Sequence, residues 1–452
     1  MRQAKSNGIA IQGRNSYHSA LRKPNPAVAS MTESTDPASR PDVSPDDVRL
    51  YGAAFWIAYV ANLLLVTANA LIFRFADFVD LLHGTAMTTG LIVGVGTGVS
   101  VLVRIWLGRV IDHQGPRYVW LGSAAAFVVA CLAFVPLDSI GPAIFAVRML
   151  YACGISGMFS CSVIHLCTGV PAERRAELIG TLGTSGFIGI LLGPQIGDWL
   201  FRVIEPGRFQ YEVMFLTAGV LGIGYLLIVA LLTQHSPRPE PHDPLPLGRM
   251  LVEYWPGTLV AVAMMMGLAQ VVPFTFLTRL RFERDLSGIG TFFLFYSPTA
   301  IVLRLLGRRW PERLGRRKAA LIGLACVSAS MLLYLFVERE WDLVWVALVA
   351  GTGHALLFPS VTTLGAESFP ERYRATGTTL ILSFVDVGTL CGAPVLGAVI
   401  DRFGFNAMFC VTAATVALVA VSFAVSSLLQ ARRVDLPLED PTEPDAHEVA
   451  EW

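Results

Sequence analysis

Twelve apolar runs follow one another along the chain, at roughly 50–73, 85–106, 117–136, 139–163, 177–202, 211–233, 254–277, 288–307, 318–337, 341–364, 376–400 and 406–429. Each is near the ~20 residues that carry a helix through a lipid bilayer. Short polar stretches separate them, and one long break stands in the middle. That break, Gln234 to Arg249, holds five prolines that forbid a continuous helix. The pattern predicts an all-α membrane protein of twelve transmembrane helices. It divides as a disordered tail (1–48), a first six-helix bundle (49–233), a linker (234–250), a second six-helix bundle (251–430) and an acidic tail (431–452).

The second half repeats the first. Arg104 to Arg117 and Arg304 to Arg317 leave an apolar run through an arginine and place a carboxylate eight residues on. A glycine stands three residues beyond each carboxylate, before the next apolar run. Pro171-Ala172-Glu173-Arg174-Arg175 answers Pro370-Glu371-Arg372-Tyr373-Arg374, and Gly193-Pro194 with Gly197 answers Gly392, Pro394 and Gly397. A repeat spread over the apolar runs marks two copies of one membrane bundle.

Composition supports a lipid setting. The chain is 54% hydrophobic and 15% charged, whereas soluble proteins are about 25% charged. Its 34 basic and 34 acidic residues cancel but are segregated. With twelve spans, 23 of the Lys and Arg fall on the side of the two ends, eight on the other side and three inside spans. Basic excess marks the cytoplasmic face, so both termini are expected there, in the plasma membrane, with no cleavable leader. The seven cysteines lie in apolar runs without metal-type spacing and read as small buried hydrophobes.

Gly108, Asp112, Gly115 and Arg117 resemble the G-x-x-x-D-x-x-G-[RK]-x-[RK] loop of the major facilitator superfamily of secondary transporters, with Pro116 at a position more often basic. Glu312, Gly315, Arg316 and Arg317 keep the second copy, its first glycine displaced to Gly307. Gly180, Gly189, Gly193, Pro194 and Gly197 resemble that family's fifth-helix antiporter motif, with Asp198 in place of a final glycine. The resemblance implies two pseudo-symmetric bundles that rock about a midplane site. It also implies that the Asp112 and Glu312 loops act as a conformational latch. The glycine stripe is expected to let the fifth helix slide against the second half.

Ionisable residues inside lipid each need a reason. Arg148 resembles a fourth-helix arginine linked in relatives to coupling or substrate binding; a structural hydrogen-bonding role is its alternative. Asp386, the one carboxylate placed deep in a span, reads either as a proton carrier or as the partner of a cation such as Arg104. Arg104 and Arg304 occupy matched places and read as snorkelling, structurally paired residues. His354 is a third coupling candidate, with a helix contact as its bland reading, and His165 deserves the same caution. Cavity candidates are Tyr59, Asn62 and Asn69 on the first helix and Met266 and Gln270 on the seventh, where Pro273 interrupts the helix.

No Walker-type loop, zinc or haem spacing, or nucleic-acid patch stands out, so no cofactor or metal is expected and the chain does not read as an enzyme. The P-E-S-P-R sugar-porter signature is missing, since His235-Ser236-Pro237-Arg238-Pro239 only grazes it. First-helix and fourth-helix carboxylates frequent in multidrug exporters are also missing. The expected function is proton-coupled export of a small organic solute by a monomer. The alternatives are uptake of an organic acid or nutrient by symport, with Arg148 holding its anionic group, and a non-transporting receptor or scaffold.

Overall fold

A backbone surrounded by lipid has no water to bond, so each apolar run satisfies its N–H and C=O groups internally as a helix. The computed structural model describes residues 51–114, 116–167, 172–234, 252–306, 314–370 and 374–434, and every regular element among them is helical. In the first half, α1 runs Ala53–Leu71 and continues through a 3₁₀ turn at Ile72–Arg74 into Phe75–Leu81. It is followed by α2 (Ala86–Gln114), α3 (Pro116–Phe134), α4 (Pro142–Cys167), α5 (Ala172–Val203) and α6 (Arg208–Leu232). In the second half, α7 runs Leu259–Val271, widens into a π turn at Val272–Phe276 and continues as Leu277–Glu283. Next come α8 (Gly290–Leu306), α9 (Arg316–Leu333) and α10 (Leu343–Glu367). A helical stretch Arg374–Val434 turns at Gly404, whose φ of 79° favours glycine, and so comprises α11 and α12.

Among the described residues, ten stretches are long and apolar enough to cross a membrane; the last, 377–429, holds both α11 and α12, and Gly290–Leu306 is a shorter apolar helix. The twelve expected helices are therefore present, as two bundles. Among the boundaries that differ from the sequence reading, α1 extends to Leu81, α2 to Gln114 and α7 to Glu283. The irregular turns lie 200 residues apart (72 and 272), so each repeat bends its opening helix at the same place. Pro273 lacks a backbone donor, and the π turn absorbs that defect without ending α7.

Within the first bundle α1 packs on α5 and α6, α3 on α4 and α6, and α2 on α4; the second repeats the scheme with α7 on α11 and α9 on α10. The bundles meet along two crossings, α2 with α11 and α5 with α8. Exposed aromatics ring both ends: Tyr51, Trp56, Tyr118 and Trp255 at the end holding the start of α1, Trp199, Trp341 and Trp345 at the other. Such belts suit headgroup depth. Of the cysteines, Cys131 and Cys161 are buried, but Cys391 and Cys410 are exposed, which corrects the reading of all seven as buried. An apolar run marks a lipid-facing position as readily as a core one.

Candidate functional site

The end away from the start of α1 is sealed between the bundles. Asp401, at the close of α11, accepts hydrogen bonds from the first two amides of α2, Ala86 N (2.9 Å) and Met87 N (2.8 Å). Asp198, at the close of α5, accepts from Ile289 N (3.0 Å) and Gly290 N (2.7 Å), the start of α8. Each carboxylate meets the unsatisfied donors and positive dipole of a helix N-terminus in the other bundle. Arg279 of α7 reaches Asp80 (2.8 Å) and Gly84 O (3.2 Å). Between them Phe73 packs at a tilt against Phe274 and Phe293, with centroids 5.0 and 5.5 Å away.

Behind this seal lies a charge network absent from the sequence reading. Arg74, its side chain 2% exposed, bonds Asp198 and sits 3.4 Å from Asp77, whose side chain is fully buried. Ending the first span near residue 73 left Asp77 outside it, so the first helix does carry a carboxylate and Asp386 is not alone. The spacing Arg-x-x-Asp was the available signal: residues three apart share a helix face, so the charges neutralise each other and the helix continues.

The two crossings differ in chemistry. At α2–α11, Arg104 Nη1 lies 2.8 Å from Asp386 Oδ2, each side chain about one-quarter exposed. Arg104 Nε also donates to Ser156 (3.3 Å). At α5–α8, Arg304 is paired with no carboxylate among the described residues, which corrects the expectation of structural pairing. Its guanidinium instead lies over Phe187 (4.6 Å) and Phe358 (5.1 Å), and its Nε is buried without a hydrogen-bond partner.

The candidate residues separate into two groups. Tyr59 hydroxyl meets Thr184 (2.9 Å), Asn62 donates to Ser185 (2.8 Å), and Asn69 accepts from Tyr151 (2.6 Å). All three are thus satisfied within the first bundle. His354 Nδ1 is 2.8 Å from the Tyr296 hydroxyl and 3.4 Å from Gln270 Nε2, while Phe187 packs edge-on and Phe358 face-on against its ring. The structure therefore joins Gln270, Tyr296, His354, Phe187, Phe358 and Arg304 into one aromatic, polar cluster spanning both bundles. Phe187 and Tyr296 lie on α5 and α8, outside helices one, four, seven and ten where the cavity was expected, and Phe358, on α10, is an apolar ring that no sequence pattern sets apart. Met266 is buried in the apolar core of the second bundle. Arg148 lies over Phe75 (4.7 Å) and Tyr151 (4.8 Å), and its buried Nη1 has no hydrogen-bond partner among the described residues. His165 rests on Trp120, with ring centroids 5.4 Å apart.

The glycine stripe faces elsewhere than expected. A side chain at Gly189 or Gly193 would strike Val66 (2.7 Å) or Ala70 (2.5 Å) of α1, Gly197 lies beside Arg74, and Gly180 has nothing within 4 Å. Gly189, Gly193 and Gly197 thus face α1 and Arg74 of their own bundle, whereas the sequence reading expected the stripe to face the second half. Close contact between bundles falls to α2 and α11: Gly90 abuts the Ala393 carbonyl, Gly94 the Leu390 carbonyl and Gly397 the Ala86 carbonyl. Of the loop motifs, Arg117 donates to Gln234 O (3.4 Å) at the end of α6, and Arg316 pairs with Glu367 at the end of α10. Gly315 has a φ of 84° and makes the turn into α9, beside an exposed Arg317. The surroundings of Gly108 and the side chain of Asp112, and residues Gly115 and Glu312, lie outside the described set, as do residues 1–50, 435–452 and nearly all of the linker.

Comparison with known proteins agrees with this architecture. The family model of the Major Facilitator Superfamily matches residues 53–310 and 285–452. The multidrug resistance protein MdtG of Salmonella paratyphi C is 25% identical over 349 residues, spanning 73% of this chain and 83% of that protein. MdtG of Salmonella typhimurium is 24% identical over 344 residues with the same coverage. Among solved structures, the nucleoside transporter NupG superposes with a TM-score of 0.68 at 13% identity, covering 83% of this chain and 99% of that one. A D-xylose-proton symporter gives 0.66 at 13% identity over 82% and 96%; both show the fold. With paired bundles, a seal at one end and a polar cluster between them, the chain belongs to the Major Facilitator Superfamily and is a multi-pass membrane transporter of small molecules.

Proposed function

We propose that this transporter exports small, partly apolar organic solutes and is driven by protons through Asp386. The observation carrying the reading is the Arg104–Asp386 contact at 2.8 Å, which joins the two bundles and is still partly exposed. Protonating Asp386 cancels the attraction that holds α2 to α11 at this depth, so proton uptake and bundle separation become one event. A half-buried charge pair suits this use because it fixes a geometry rather than adding much stability. The name of the MdtG relatives and the fifth-helix glycine spacing support the outward direction. In this reading residues 49–233 and 251–430 are the rocking bundles, 234–250 links them, and both termini are cytoplasmic. The Asp198 and Asp401 contacts then close the outer face, and the Asp112 and Glu312 loops latch the inner face in the opposite state. Arg148 and His354 serve as further polar groups along the path of a monomer.

The test uses purified protein in liposomes with an imposed pH gradient, following ethidium as a cationic dye and fluorescein as an anionic one. Wild type should move at least one dye faster under the gradient, and an uncoupler should remove that acceleration. Asp386→Asn should retain exchange of that dye without gradient-driven acceleration. Movement of neither dye sinks the export reading; an intact gradient response in Asp386→Asn sinks the coupling role.

A further inference from the structure

The repeat assigns Arg304 a missing partner. Arg104 and Arg304 are matched residues of α2 and α8, 200 positions apart. The register between α5 and α11 follows from packing: Gly189 and Gly193 seat on Val66 and Ala70 of α1, while Gly388 and Gly392 seat on Met264 and Leu268 of α7. The glycines of this stretch match at 199 (189 to 388, 193 to 392), one short of the 200 at Pro194 and Pro394, and at that register Phe187 answers Asp386; each touches the matched arginine of its crossing. One crossing thus carries Arg104 on Asp386, and its twin carries Arg304 on Phe187. The scaffold kept the cation and replaced its anion with an aromatic ring.

Ring contacts engage a guanidinium's charge and leave its N–H donors unspent. Arg304 makes no hydrogen bond or ion pair among the described residues, and its Nε is buried and unpartnered. Burying a donor fork without an acceptor is unfavourable, and a carboxylate matches that fork with two parallel bonds. Around it stand two aromatic rings, Phe187 and Phe358, and the Tyr296–His354–Gln270 set, which offers hydroxyl, imidazole and amide groups.

We propose that Arg304, Phe187 and Phe358 form an anion-binding substrate site, which takes the carboxylate of an aromatic organic acid in the place that Asp386 fills at the twin crossing. The carboxylate bonds the Arg304 fork while its aromatic body lies against Phe187, Phe358 and the His354 ring. Because Phe187 belongs to the first bundle and the rest to the second, the anion joins the two as Asp386 does. The assignment rests on the export reading for its use as a substrate site, but binding can be read without transport.

The experiment titrates fluorescein against detergent-purified full-length protein by fluorescence anisotropy, with 1-naphthoate and the uncharged 1-naphthamide as competitors. Wild type should bind fluorescein saturably, and naphthoate should displace it at least tenfold better than naphthamide. Arg304→Gln should weaken binding at least tenfold, and Arg304→Lys should recover part of the loss. Phe187→Asp keeps the arginine but restores the twin's ion pair. It should weaken binding as much as Arg304→Gln, with a melting temperature at or above wild type. Absence of binding by wild type, equal displacement by acid and amide, or wild-type affinity in Phe187→Asp each overturns the site. Binding without movement of either dye in liposomes leaves the site standing and removes the export reading. Ethidium transport without fluorescein binding does the reverse.

Discussion

The crossings α2–α11 and α5–α8 come from one duplicated plan, and each has taken a different chemistry. At α2–α11 glycines bring the backbones together, with Gly90 and Gly94 against carbonyls of the facing helix, and a charge pair spans the gap. At α5–α8 the helices meet through side chains: a ring replaces the carboxylate, and Arg304 faces Phe187 and Phe358. Both ends of this scheme retain a carboxylate on a helix N-terminus, Asp401 in one case and Asp198 in the other. Capping is a backbone function that any sequence on this scaffold can use, so it survives in both copies. The mid-crossing side chains are free to diverge, and in the proposed reading one copy serves coupling and the other recognition.

Arg104→Gln and Arg304→Gln break this comparison most sharply. Arg104→Gln should cut gradient-driven dye movement by at least about tenfold, equivalent to about 1.4 kcal/mol, through loss of proton dependence. Arg304→Gln should instead raise the concentration for half-maximal transport of fluorescein while the flux still responds to the gradient. Liposome flux at several dye concentrations, with and without a gradient, separates the two outcomes. If both variants lose the gradient response alike, the crossings share one role.

The end seals should differ by less. Asp401 serves only the α2 amides among its described contacts, whereas Asp198 serves the α8 amides and also Arg74. Asp401→Asn should cost the sealed state about 1 kcal/mol as a lost charge at a helix N-terminus. Asp198→Asn should cost about 2 kcal/mol, because Arg74 keeps only Asp77, a difference of roughly fivefold against thirtyfold in the open population. Spin labels at Ser139 and Glu338, exposed on the sealed end of each bundle, would report the populations as distance distributions. An equal shift in both variants would remove Arg74 from the seal.

The helices and their duplication were legible because lipid imposes one rule, a run of about 20 apolar residues, and the loop arginines mark the repeat. The site was legible only in part. His354, Gln270 and Asp386 stood out as polar groups in apolar runs. Phe187, Phe358 and Tyr296 did not, because an aromatic residue in a lipid-spanning helix looks the same whether it meets lipid, core or a cation. Asp77 was hidden by a boundary: a span that ends where charge begins cannot show that Arg74 and Asp77 neutralise one another inside the helix. The fifth-helix glycines were read as a spaced motif, and spacing says that something packs closely without saying which helix does so.

That last ambiguity supports a prediction of small effect. Gly90 and Gly180 are both glycines on helices that reach the other bundle, yet Gly90 abuts the Ala393 carbonyl and Gly180 is exposed with nothing within 4 Å. Gly90→Val forces α2 off α11, and overpacking of this kind costs about 1–3 kcal/mol. Gly180→Ala meets open space and removes backbone freedom from the unfolded helix, which should stabilise by about 0.5–1 kcal/mol. Melting of purified protein in detergent should fall for Gly90→Val and hold or rise slightly for Gly180→Ala. A drop at Gly180 matching that at Gly90 would mean that α5 presses a neighbour there in another conformation. Close backbone contact between the bundles would then belong to both crossings.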